Sequence, residues 1–160
     1  MAHVHAATIW DGPTTTFSKP SGADWTDPSY QDHLTDNVWL TRGATRGLFN
    51  IRVESSYAFF FSPADTEWAD GSTTNLSGLT FFNWQAWNGS DPPATVGRDA
   101  VLHLITDDIY LNIKFTSWDV RTGGGFSYER ATAIPEPSTA GLTLMGLGAL
   151  LFYFLRNRIR

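Results

Sequence analysis

Cysteine is absent from the 160-residue chain, and with it go disulfides, thiolate metal sites and a cysteine nucleophile. Stability must then come from a packed core. Basic residues are scarce where a nucleic acid would need them. Residues 1–138 carry eight Lys or Arg against sixteen Asp or Glu, so the body does not attract phosphate backbones and nucleic acid is excluded as a partner. No Gly-x-Ser-x-Gly elbow, His-Glu-x-x-His pair or phosphate loop occurs, which removes the usual marks of serine hydrolases, zinc peptidases and nucleotide enzymes. There is no EF-hand spacing, internal repeat or low-complexity block. The first ten residues lack a basic region followed by an apolar one, so they do not form a secretory signal peptide.

What is present points to β structure. The chain holds 7 Trp, 11 Phe and 5 Tyr, is rich in Thr, and is broken at short intervals by Gly, Pro, Asn and Asp. The clearest strand is Ile109 to Trp118, where Ile109, Leu111, Ile113 and Phe115 share one face and Tyr110, Asn112, Lys114 and Thr116 the other. Ala100 to Ile105 precedes it, joined through Thr106-Asp107-Asp108 as a hairpin. Further strands are expected at Thr14 to Phe17, Val38 to Thr41, Gly47 to Val53, Tyr57 to Phe61, Leu79 to Trp84 and Phe126 to Ala131. Short helical turns are expected at Asp27 to Gln31 and Ser62 to Asp65, each with an N-cap residue before a proline. About eight short strands with one wet face predict a mainly β fold, a single β-sandwich or jelly-roll-like domain over residues 7–133.

Within that domain the candidate sites are few. Trp84 and Trp87, beside Asn83, Gln85 and Asn88, combine flat apolar faces with amide groups and would suit a glycan; the alternative is that both fill the core. Asp24, Asp27 and Asp32 lie close in one loop and are the candidate calcium ligands, calcium being the one cofactor considered, although acidic loops are commonly just solvated. Asp65, Glu67 and Asp70, and the pair Asp107 and Asp108, supply the carboxylates a glycosidase would need, but Asp65 reads more simply as a cap and Asp107-Asp108 as a turn. His3 and His5 form a His-x-His at an expected frayed end, and His103 falls on the outward face of a strand. None of these predicts an enzyme.

The C-terminal end has a different chemistry. Thr139 to Leu155 is uncharged over 17 residues, about 25 Å as a helix and just long enough to span a bilayer. Phe152, Tyr153 and Phe154 fall where aromatic rings favour the interface, and Arg156, Arg158 and Arg160 follow in a basic tail, residues 156–160. The positive-inside rule keeps those arginines cytoplasmic and places the domain across the membrane. Before the span, residues 134–138 read Ile134-Pro135-Glu136-Pro137-Ser138, where two prolines hold the chain extended and Glu136 will not enter lipid. The span is short and interrupted by small residues, which suits a temporary anchor.

This order of Pro-Glu-Pro-Ser, a Gly- and Leu-rich span and terminal arginines resembles the PEP-CTERM sorting signal of Gram-negative bacteria, over residues 134–160. The resemblance implies that Pro135, Glu136 and Pro137 form the motif read by exosortase, a membrane protease, and that the tail is removed or exchanged after export. The arginines here are interrupted by Asn157 and Ile159. Exosortases are polytopic and use a cysteine, so this chain would be their substrate. The segments Asn37 to Gly43, Ser62 to Trp68 and Gly123 to Tyr128 are similar to an uncharacterised group of β-rich ectodomains that accompany this tail.

An exported substrate needs an N-terminal signal. Val4-His5-Ala6 has small residues at the −3 and −1 positions of a signal-peptidase site, so the expectation is a true start further upstream, with residues 1–6 a remnant and the mature chain beginning near Ala7. The resulting expectation is an exported cell-surface or extracellular-matrix protein, anchored in the inner membrane by residues 139–155 before processing. Its role would be non-enzymatic. A carbohydrate-binding module of the exopolysaccharide matrix is the alternative, and a glycan-active hydrolase the second.

Overall fold

The computed structural model describes residues 7–134. Thus the expected cleavage after Ala6, the Pro135-Glu136-Pro137 motif, the span 139–155 and Arg156, Arg158 and Arg160 all lie outside the described residues. Among the described residues, nine strands build two sheets, with no closed barrel. They are β1 (Thr8–Trp10), β2 (Thr15–Lys19), β3 (Asp32–His33), β4 (Trp39–Arg42), β5 (Leu48–Asn50), β6 (Thr66–Asp70), β7 (Ala100–Leu104), β8 (Ile109–Trp118) and β9 (Phe126–Arg130). One four-residue helix, α1 (Trp84–Trp87), is the α-helix among them. No helix of the described residues is long and apolar enough to cross a membrane.

The larger sheet runs β2-β9-β8-β7-β6, every pair antiparallel, and β1 adds in parallel to the first residues of β8. The ten residues of β8 are the spine of this sheet. Their alternation is as the period-2 pattern predicts: Leu111, Ile113 and Phe115 are buried, whereas Asn112, Lys114 and Thr116 face outward. The turn after β7 joins Leu104 opposite Ile109, so the expected hairpin is present. The smaller sheet is the meander β3-β4-β5.

One apolar core joins the sheets, taking Leu34, Val38, Leu40 and Leu48 from the smaller side and Leu102, Leu111, Phe115 and Tyr128 from the larger. Aromatic rings fill its centre. Trp68 is fully buried with ring centroids of Trp84 at 4.8 Å, Trp87 at 5.4 Å and Phe115 at 6.1 Å, contacts worth about 0.5–1.5 kcal/mol each beyond area burial. In a chain without cysteine, this cluster supplies stability that small disulfide-bonded domains draw from their cross-links.

Polar clamps lock the sheets in register. The Asp32 carboxylate on β3 accepts from Arg130 Nε and Nη2 and from Tyr128 Oη on β9, all at 2.7 Å. Burial, then the Asp32 charge, pushes the Tyr128 hydroxyl well above its ordinary pKa. Arg42 on β4 donates to Gly125 O at 2.8 Å and Asp119 O at 2.9 Å, both in the β8–β9 connection. Thr35 and Asn37 donate to Asp107 in the β7–β8 turn.

Several expected elements are displaced, each for a local reason. Tyr57 to Phe61 is a turn, not a strand: the Ala58 carbonyl accepts from Phe61 N and Ser62 N, and Phe60 sits at φ 66°. Gly47 to Val53 shortens to β5 because Asn50 O turns back to accept from Val53 N and Glu54 N. Leu79 to Trp84 contributes only a bridge from Phe82 to Trp68, since Asn83 caps α1 directly afterwards. The turn at Pro28–Tyr30 forms with Asp27 as its cap, but Ser62 to Asp65 is not helical, with Asp65 at φ 64°. Strands β1, β3 and β6 were not expected from the sequence.

Candidate functional site

The one-turn helix α1 decides the fate of the two candidate tryptophans. Asn83 Oδ1 accepts from Ala86 N at 2.9 Å to start it, and the i, i+3 spacing then puts Trp84 and Trp87 on one face. That face is the core: Trp84 is 1% and Trp87 6% exposed. The exposed tryptophan platform is therefore corrected; both rings are structural. Trp87 Nε1 donates to Asp70 at 2.8 Å, and Arg98 pairs with the same carboxylate.

The candidate calcium ligands are likewise separated into three local tasks. Asp24 accepts from Thr26 N and Oγ1, Asp27 accepts from Ser29 N and Oγ, and Asp32 is held by Arg130 and Tyr128. Among the described residues no group of three or more His, Asp or Glu is arranged to hold a metal ion. The backbone hydrogen bonds hold the Asp24 and Asp27 carboxyls below their ordinary pKa.

The carboxylates weighed for glycosidase chemistry do not frame a common cleft either. Asp65 accepts from Thr106 N and Oγ1 and so caps the β7–β8 turn, as a short polar side chain does. Asp107 is taken by Thr35 and Asn37, and Asp70 by Arg98. Glu67 and Asp108 each lie 3.5 Å from a ring nitrogen of His103, which is on the outward face as its alternation predicts and stacks on Tyr110 at 4.0 Å.

Two concave sites stand out among the described residues. A groove of about 640 Å³ lies over the outer face of β8 and β9 and is lined by Asp11, Asp99, Asn112, Lys114, Glu129 and Arg130. Its cations are already paired, Lys114 with Asp99 at 2.9 Å and Arg130 with Asp32 at 2.7 Å.

The second site, a cleft of about 270 Å³, is aromatic. Tyr57, Phe59 and Trp118 line it with Gln85, Asn88, Arg42 and Arg46. Gln85 Oε1 accepts from Tyr57 Oη and Phe60 N, both at 3.1 Å, and so fixes the Tyr57–Phe61 turn as a wall. Arg42 lies 4.0 Å over the Trp118 ring and Arg46 5.0 Å over Phe59. Burial pulls the Arg42 guanidinium down to about 10, with Asp119 opposing, and burial raises the Tyr57 hydroxyl. Gly47 lines the same cleft because no side chain fits there: a Cβ would lie 2.6 Å from Tyr57 Cε2 and 2.9 Å from Trp84 Nε1. Asn88, only 4% exposed, donates to Trp84 O at 2.6 Å, but its Oδ1 has no partner among the described residues, nor has Trp84 Nε1. An orphaned buried group of this kind costs about 1–3 kcal/mol.

Sequence reasoning missed the aromatic wall. Tyr57-Ala-Phe-Phe-Phe61 reads as a strand by composition, yet it has no period-2 alternation, and Phe59, Phe60 and Phe61 are 50%, 61% and 79% exposed. Gln85 and Asn88, grouped in the sequence with Trp84 and Trp87, line a cleft with Tyr57, Phe59 and Trp118 instead.

The described body ends at a defined place. Thr132 O accepts from Gly12 N at 2.9 Å, and Thr132 Oγ1 donates to Pro13 O at 2.7 Å. Gly12 is required for this approach, since a Cβ would lie 2.7 Å from both Thr132 O and Ala133 O. Ala133 and Ile134 are exposed beyond it. Residues 133–159 match the family model described as the PEP-CTERM protein-sorting motif. The chain thus carries this sorting signal, which marks an exported protein sorted by exosortase. No curated protein and no solved structure matches the chain.

Proposed function

We propose that the protein is a non-enzymatic component of the cell surface or extracellular matrix of a Gram-negative bacterium, anchored by residues 139–155 and processed by exosortase near Pro135, Glu136 and Pro137. The observation that carries this reading is the join between body and tail. The family match begins at residue 133, one residue after the last body residue tied to the N-terminal segment, Thr132. The last strand of the described body, β9, ends at Arg130, so cutting the chain at the motif would not require a strand of the body to unfold.

Arg156, Arg158 and Arg160 hold the tail's cytoplasmic end until cleavage. Mass spectrometry of the protein from its native host tests this. A mature C-terminus upstream of Arg160 is expected, and changing Pro135-Glu136-Pro137 to alanines should restore the intact tail. An intact Arg160 in the unaltered protein would refute processing.

A further inference from the structure

We propose that the Tyr57–Phe61 turn is a bilayer contact: while the tail anchors the protein, Phe59, Phe60 and Phe61 enter the interfacial layer of the membrane among lipid headgroups of no net charge. This contact rests on the anchor proposed at residues 139–155, to which it adds a second hold from the folded body. The three rings are 50%, 61% and 79% exposed, and Val53 is 68% exposed. Val53 stands at the foot of the same turn, since its neighbour Glu54 accepts from Ser62 Oγ. Soluble domains rarely leave bulky apolar side chains grouped in water, and such a patch marks a protein or membrane contact.

The turn is built to hold these rings out. The Ala58 carbonyl accepts from Phe61 N and Ser62 N, and Gln85 Oε1 accepts from Phe60 N. Glu54 closes the base, its carboxylate accepting from Ser62 Oγ, from Asn50 N at 2.7 Å and from Ala64 N at 2.9 Å. No charged residue occurs from Ser55 to Ala64, in a body with twice as many acids as bases. The stretch therefore carries no charge to be desolvated, and it needs no anionic lipid, which an acidic body would repel. Successive side chains of a tight turn diverge, so a flat protein partner covers them only in part. A fluid bilayer surrounds all three.

Topology brings the foot of this turn to the tethered end of the body. Strand β9 runs antiparallel to β8 towards Ile109, and just beyond it Ala131 N donates to Asn112 O. The described body thus ends beside the start of β8. Asp65, which follows the aromatic turn, is bound at that same end of the sheet: its carbonyl accepts from Ile105 N at 3.1 Å and its carboxylate from Thr106 N at 3.0 Å, both in the β7–β8 turn. Residues 133–138 separate Thr132 from the proposed span, and such a segment reaches at most about 20 Å. A domain of this size has a radius of gyration of about 14 Å, so the tether keeps that end of the body against the bilayer.

Because the chain has no cysteine, a single introduced cysteine places a fluorescent dye at one chosen position. The full-length chain carrying Phe60→Cys is labelled with an environment-sensitive dye and reconstituted into phosphatidylcholine vesicles, with and without spin-labelled lipid. Ser18→Cys, on the exposed side of β2 at the other edge of the larger sheet, is the control. The dye at position 60 should be quenched about twofold or more by the spin-labelled lipid and the control dye left unchanged. Adding Phe59→Ser and Phe61→Ser should remove that quenching at an unchanged melting temperature; quenching that survives would make the dye the inserting group and overturn the proposal. Vesicle flotation reads the anchor separately. Protein that does not float would overturn the anchor and this contact with it. Floating protein whose position-60 dye stays in water, or is shielded yet unquenched because a second copy covers it, would overturn the aromatic contact alone.

Discussion

The charged groove over β8 and β9 and the aromatic cleft beside Trp118 differ in how their polar groups serve the fold. In the larger groove, Lys114 and Arg130 are each engaged by a carboxylate, and Arg130 sits in the buried clamp that joins β9 to β3. In the smaller cleft, Gln85 fixes the aromatic wall through Tyr57 and Phe60 and donates to Ser90, while Asn88 Oδ1 is enclosed without a partner among the described residues. Both sites spend their polar groups on the fold, the groove on ion pairs and the cleft on fixing an aromatic wall.

The sharpest way to break this contrast is to disrupt the clamp. Asp32→Ala leaves Arg130 and Tyr128 without their shared partner, and should cost about 3–5 kcal/mol of unfolding free energy, as removal of one member of a buried pair does. Urea denaturation measures it. A loss below about 1 kcal/mol, the scale of a surface ion pair, would mean that the groove's charges are free and the contrast fails.

Filling the cleft comes next. Gly47→Ala would put a methyl 2.6 Å from the Tyr57 ring and 2.9 Å from Trp84 Nε1. Overpacking of this kind costs about 1–3 kcal/mol, and the displaced Tyr57 wall should close the cleft. Denaturation together with tryptophan fluorescence reads both effects.

Acid probes the rim of the cleft more gently. The Ser21 hydroxyl, with Gly125 N and the nearby cations, holds the Asp119 carboxyl below its ordinary pKa, and the Asp24 and Asp27 carboxyls are lowered by their own local hydrogen bonds. A lowered carboxyl contributes stability that is present above about pH 4 and lost as pH falls through the folded-state value. Melting temperature should therefore decline below pH 4, and Asp119→Asn should flatten that decline. The smallest effect is expected from Phe59→Ala, whose half-exposed ring should change stability by no more than about 0.5 kcal/mol. A larger loss would make Phe59 a core residue and the cleft a packing defect.

Much of the framework was legible in the sequence because alternation survives folding. The faces of β8 and the hairpin to β7 follow from period-2 patterning alone. The strand expected at Tyr57 to Phe61 was misplaced because apolar composition without alternation does not separate a strand from a loop that displays its rings. The calcium candidates failed for another reason. Proximity in sequence brought Asp24, Asp27 and Asp32 together on paper, but each aspartate satisfies the nearest donors, and for Asp32 those are Tyr128 and Arg130, far along the chain.

By itself the sequence determined the sorting signal, since the prolines, the apolar run and the arginines act by order along a chain and need no fold to be recognised. It also determined the β class, through alternation and turn residues. Only the tertiary structure decided that Trp84 and Trp87 turn inward while Gln85 and Asn88 face a cleft with Tyr57, Phe59 and Trp118. The reason is geometric. One helical turn has two faces, and which of them meets the core depends on Trp68 and Phe115, residues brought there by strands that the local sequence of the helix does not contain.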